Sequence, residues 1–313
     1  MRLAALLLIP LFAGQEVAWK TDWPGTLKEA AASKKLVVLL FFNKDVKNCK
    51  RYQEETLASP AVPAALSKYL CVRLDPEGTD DENRLWQQHG SPMPPMTFVY
   101  EPDGKKLAGV GTLNAKFYAE ALNAIVPAYF DKIVPAREAL AKDPNQPDKL
   151  ADLGDAFVRL DNPTESANNY AAAADLLAGK GDKPGALKLL GIQLDAYYEK
   201  KWYSPARGCC AKIAELDPDN GTKLRPKAAW VLGMAACAEV KWQEAIDGLT
   251  AAIAKYKGCD ILDRMMFTLG SAYMYAGEKD KAIATFDDIV KNFFGSEAAD
   301  LAQVQANKLR AKK

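Results

Sequence analysis

Residues 35 to 42 read Lys-Leu-Val-Val-Leu-Leu-Phe-Phe, a continuous apolar run entered from charge. Such a run predicts a strand buried on both faces in the middle of a sheet. The next stretch, Asn43 to Pro60, mixes Asn48-Cys49-Lys50-Arg51-Tyr52 with Glu54-Glu55 and ends on the breaker Ser59-Pro60, so it predicts a helix. Tyr69 to Asp75 predicts a second strand, Asp80 to His89 a helix, and Met96 to Tyr100 a third strand. Pro102-Asp103-Gly104 is a turn signal, after which Lys105 to Gly111 continues as a paired strand and Ala115 to Ala128 as an amphipathic helix. Beyond this α/β portion the periodicity becomes helical throughout.

In that second portion the dyad Leu-Gly recurs at Leu153-Gly154, Leu190-Gly191, Leu232-Gly233 and Leu269-Gly270, at intervals of roughly 40 residues. Each dyad is followed by a small residue and then, four positions on, by a partner: Ser166 and Tyr170, Ala206 and Cys210, Ala245 and Leu249, Ala282 and Phe286. The last copy also has Tyr273 and Gly277, the latter placed as a C-cap glycine. This pattern resembles the tetratricopeptide repeat, which implies about four helical hairpins over 147–313, the second lengthened in its first helix or turn. One hairpin cannot bury its apolar face, whereas a stack can, and its first helices then line a concave groove for a polypeptide partner. Carried onto this chain, the resemblance implies groove positions at Trp230, Met234, Phe267 and Met274. Helix spacing alone does not separate that role from ordinary packing between repeats. Lys227 and Arg264 fall on the same face, where a solvated surface is the simpler reading. Residues 131–146 are expected to form a capping helix and linker, and Ala298 onward a polar outer cap.

The α/β portion resembles the thioredoxin-like fold over roughly residues 20 to 128. Two places carry the likeness: Phe42 to Lys50 after the first central strand, and Pro94-Pro95-Met96-Thr97-Phe98-Val99-Tyr100 with the following Pro-Asp-Gly. By that match Val46-Lys47-Asn48-Cys49 stands where the family has Cys-x-x-Cys, and Pro95 where it has a cis proline. The attacking thiolate position is therefore Val46, and Cys49 alone cannot complete a dithiol cycle. A structural role for Cys49 is expected, although Lys47, Lys50 and Arg51 leave open a lowered pKa and a monothiol reaction. Cys71 is expected to pack in the core.

Composition narrows the function further. The chain has 41 basic and 40 acidic residues, hence no global field for nucleic acid or an anionic membrane. Arg2 followed by the apolar stretch Leu3 to Ala13 has the order of a secretory signal peptide, expected to span residues 1–17. Export to the periplasm or beyond follows, with no stable membrane insertion after cleavage. Domain bounds are then expected at 18–130 and 147–313. Export also permits disulfides, with Cys237 to Cys209 or Cys210 the preferred pairing. No Cys-x-x-Cys pair is present and His89 is the single histidine, so no metal site is expected. Gly109-Val110-Gly111 is too short for a dinucleotide fingerprint, and no cofactor is expected. The acidic cluster Glu77, Asp80, Asp81 and Glu82 lacks EF-hand spacing and is read as helix N-terminal charge. The expected function is that of an exported, non-enzymatic interaction or scaffold protein. The alternative is a monothiol oxidoreductase using Cys49, to which the repeats recruit clients.

Overall fold

The computed structural model describes residues 17–111 and 113–311. They divide into two compact units: residues up to Glu138 with Arg159–Asn162, and Ala139–Val158 with everything from Pro163. The expected signal segment Leu3 to Ala13 lies outside the described residues.

The first unit contains β1 (Trp19–Lys20), α1 (Trp23–Ser33), β2 (Val37–Phe41), α2 (Lys47–Arg51), α3 (Ala61–Leu66), β3 (Leu70–Leu74), α4 (Asp80–Gln88), β4 (Met96–Tyr100), β5 (Lys106–Val110) and α5 (Ala115–Ala128). Its sheet has the order β1-β3-β2-β4-β5. β2 lies at the centre, parallel to β3 and antiparallel to β4. Every residue of β2 is buried, which is why it reads as unbroken hydrophobicity rather than alternation. Val37, Leu39 and Phe41 pack on one face with Ala30, Val72, Leu74, Phe98 and Tyr100, beneath Leu27 of α1 and Leu85 and Trp86 of α4. Strand alternation directs Val38 and Leu40 to the other face. α5 packs against α3 and β5.

Three elements, β1, α1 and α3, have no counterpart in the sequence pattern. A two-residue strand cannot display alternation, and α1 is an alanine-rich helix whose start is marked by Asp22, which accepts a hydrogen bond from the Gly25 N–H at 2.9 Å. The predicted helix from Asn43 to Pro60 is α2 continued by a π-helical stretch, Tyr52–Leu57. A second π-helical stretch, Tyr129–Ile133, joins α5 to α6 (Val134–Lys142). Each precedes a proline, Pro60 and Pro135, that has no N–H for the carbonyl four residues earlier. The segment expected as a capping helix and linker, residues 131–146, holds the end of the second π-helical stretch and α6, which follows α5 without a break. The unit boundary falls inside α6, after Glu138.

The second unit is helical among its described residues: α7 (Pro147–Arg159), α8 (Pro163–Gly179), α9 (Lys183–Lys200), α10 (Tyr203–Leu216), α11 (Leu224–Ala238), α12 (Trp242–Lys255), α13 (Leu262–Tyr275), α14 (Lys279–Asn292) and α15 (Glu297–Ala311). From α8 on, each helix packs against the next, and α11 also reaches α9 and α13, as in a stacked solenoid. The glycine of each dyad explains the repeat. A Cβ on Gly154, Gly233 or Gly270 would lie 2.8, 2.6 or 2.7 Å from the side chain of Tyr170, Leu249 or Phe286 in the following helix. In the second hairpin the partner is the smaller Cys210, and Gly191 instead faces Leu224 of α11. The extra residues of that hairpin lie in its first helix, α9, which has 18 residues against 13 in α7 and 14 in α13.

Candidate functional site

Two places merit chemical examination, one in each unit. In the first, Val46 is the N-cap residue of α2, with extended backbone and no side-chain hydrogen bond. Cys49 lies one turn further in and is fully buried. Burial pushes its thiol up, a hydrogen bond with the Asn43 backbone opposes the shift, and the charge of Asp75 adds to it. The basic neighbours that left a lowered pKa open stand away from the thiol: Lys47 and Lys50 are exposed, and Arg51 pairs with Glu55 at 2.8 Å. The Pro94–Pro95 peptide is cis. Cys71 is buried in β3, and its thiol donates to the Leu66 carbonyl at 3.5 Å.

His89 is more integrated than a helix-end polar residue. Its ring packs beside Phe41 and Phe98, its Nδ1 lies 2.7 Å from the Leu85 carbonyl oxygen, and its Nε2 meets the Tyr100 hydroxyl. The carbonyl can only accept, so Nδ1 carries the proton and Nε2 accepts from Tyr100. Burial lowers its pKa, and the nearby Lys106 charge acts in the same direction against the Leu85 hydrogen bond. Among the described residues no group of three or more His, Cys, Asp or Glu is placed to hold a metal ion.

In the second unit a cavity of about 710 Å³ opens between helices, lined among others by Tyr198, Trp230, Trp242, Phe267 and Tyr275. Three of the four positions expected to line a groove, Trp230, Met234 and Phe267, lie on it. Trp230 belongs to the core as well: it is 5% exposed, stacks obliquely on Tyr198, and donates from Nε1 to Thr268 Oγ1 at 2.9 Å. The fourth, Met274, packs against the cluster of Phe286, Ala298 and Ala302, as Phe267 also does. Tyr275 is 64% exposed and stacks on Trp242 with centroids 5.2 Å apart.

Sequence reading missed Tyr198, Tyr203, Trp242 and Tyr275, which come from three different hairpins. Aromatic residues at the ends of successive helices were the available signal. It also missed Glu297 and Leu301 of α15, a helix taken for a polar cap; its outer surface exposes Leu301 and Val304. Arg264 is exposed at the groove, while Lys227 pairs with Asp195 of α9. Burial lowers the Lys227 pKa, and repulsion from Arg264 lowers it further.

The expected disulfide is not made. All six cysteines are free; Cys209 donates to the Leu190 carbonyl and Cys210 to that of Ala228, each at 3.3 Å. Cys237 is nine residues beyond Ala228 on α11, about 13 Å along the axis, too far for Cys210 to bridge. Cys237 instead lines the groove, with its thiol pKa raised by burial.

Fold and sites together define a thioredoxin-like domain without the attacking cysteine, followed by a tetratricopeptide-type helical array. A family model described as Thioredoxin-like matches residues 18–102. A search of curated protein sequences finds no match to the chain. Solved structures similar to it include a DsbH oxidoreductase, at 18% identity and TM-score 0.34, covering 40% of this chain and 94% of that one. MamA is similar at 18% identity and TM-score 0.37, covering 60% and 96%. The pilF protein of Pseudomonas aeruginosa is similar at 18% identity and TM-score 0.34, covering 62% and 90%.

Proposed function

We propose that the protein is an exported, non-enzymatic interaction protein whose helical array holds a polypeptide partner in the groove lined by Trp230, Phe267 and Tyr275. The observation that carries this reading is the groove itself: aromatic side chains from several hairpins converge on a cavity of about 710 Å³, the arrangement that buries bulky side chains of a ligand. The apolar stretch Leu3 to Ala13 behind Arg2 supports export. Among the described residues no helix is long and apolar enough to cross a membrane.

A monothiol oxidoreductase would need an accessible thiolate, and the buried, upshifted Cys49 is poorly suited to that task. The test uses the full chain as bait in an extract of the exported fraction of its own cell. A specific polypeptide retained by the wild type and lost with Tyr275→Ala is expected. In parallel, reduction of a model disulfide should run at the uncatalysed rate; turnover that disappears in Cys49→Ser would overturn the non-enzymatic reading.

A further inference from the structure

Resting on that reading of the groove, we infer that the segment it takes carries an acidic side chain flanked by bulky apolar ones, with the carboxylate received by Arg264. The lining is mostly apolar, with the hydroxyls of Thr268, Ser271 and Ser296 and three charged groups, Asp263, Arg264 and Glu297. Both carboxylates stand in the first turn of a helix, Asp263 in α13 and Glu297 in α15, where unsatisfied N–H groups offset negative charge. Asp263 is committed further, since its Oδ1 accepts the Arg264 backbone N–H at 2.8 Å. The Arg264 guanidinium has no such neutralisation: it is exposed at the groove and, among the described residues, no carboxylate pairs with it. Its charge reaches as far as Lys227, which it helps to depress.

An apolar groove with one uncompensated cation selects a ligand with apolar bulk around an anion. A guanidinium beside aromatic walls can take a carboxylate through two parallel hydrogen bonds, stronger than neutral ones. The cavity, about 710 Å³, is within the range that holds a compact ligand, about 300–1,000 Å³, so it suits a few side chains of an extended or helical segment rather than a folded domain.

The experiment uses fluorescently labelled octapeptide pools that differ only at one central position, Glu, Gln or Lys, with Leu, Phe or Tyr on both sides, titrated into the full chain and read by anisotropy. The Glu pool is expected to bind at least tenfold tighter than the other two. Arg264→Glu is expected to reverse the order in favour of Lys; the exposed, unpaired site makes the variant foldable, which circular dichroism checks. Equal binding of all three pools, or an order unchanged by Arg264→Glu, overturns the inference and leaves the groove reading standing. Binding by none of the pools, or displacement of all of them by dodecanoate with Tyr275→Ala without effect on partner capture, overturns the groove reading as well.

Discussion

A thiol one helical turn inside a domain is set by what surrounds it, and Cys49 is surrounded by core. With no exposure and an upshifted pKa, it should resist alkylation at neutral pH. Peptide mapping after iodoacetamide treatment of the folded protein is expected to show Cys237 and Cys259, the two half-buried thiols, labelled first. Labelling of Cys49 at the rate of a free thiol would contradict this. Val46 sits at the helix start with partial exposure, so Val46→Cys should confer measurable disulfide reduction that the wild type lacks. A variant that remains inert would show that more than the missing sulfur has been lost. His89 gives a separate pH prediction. Its folded pKa is lowered, so the unfolded chain takes up a proton first as pH falls through about 6.5, and stability present above that pH is lost below it. The chain has one histidine, so a single imidazole resonance should titrate below about 6.5. His89→Gln should flatten the acid side of the stability profile.

At the scale of elements, the repeat depends on helices approaching where a glycine faces a large side chain. Gly270→Ala would place a methyl group 2.7 Å from the Phe286 ring. The overpacking should cost about 1–3 kcal/mol even after the gain in helix propensity. Gly248, in α12, has nothing within 4 Å of its Cβ direction, so Gly248→Ala should stabilise by about 0.5–1 kcal/mol. Urea unfolding of the two variants side by side checks the sign of both. The same contacts show how much of the array was legible. The dyads and their partners Tyr170, Leu249 and Phe286 stand at fixed offsets, because a hairpin repeats its close contact at a fixed distance along the chain. What was not legible is the identity of α6 as an extension of α5, since a π-helical stretch leaves no apolar period of its own.

For the whole molecule, the groove is the feature on which the functional reading turns. Tyr275 is largely exposed and donates little to the core, so Tyr275→Ala should leave the thermal midpoint within a few degrees while weakening partner binding by about tenfold or more. Binding and melting curves of the same preparation separate the two effects. Cys49→Ser should leave that binding unchanged, because the groove is built from residues of the helical array.

Local pattern alone determined the two kinds of architecture: the apolar run of β2 and the turn at Pro102-Asp103-Gly104 specify the sheet, and the four Leu-Gly dyads specify the hairpins. The resemblance to thioredoxin-like domains, rather than the pattern, implies Val46 at the position of the attacking cysteine. Tertiary structure decided everything that depends on which face of a helix meets which neighbour. It brought Tyr198, Trp242 and Leu301 to one cavity, and seated Cys210 of α10 against the Ala228 carbonyl, away from Cys237 further along α11. The physical reason is that periodicity fixes how often a side chain returns to a face, while only the packing of successive helices fixes what that face touches.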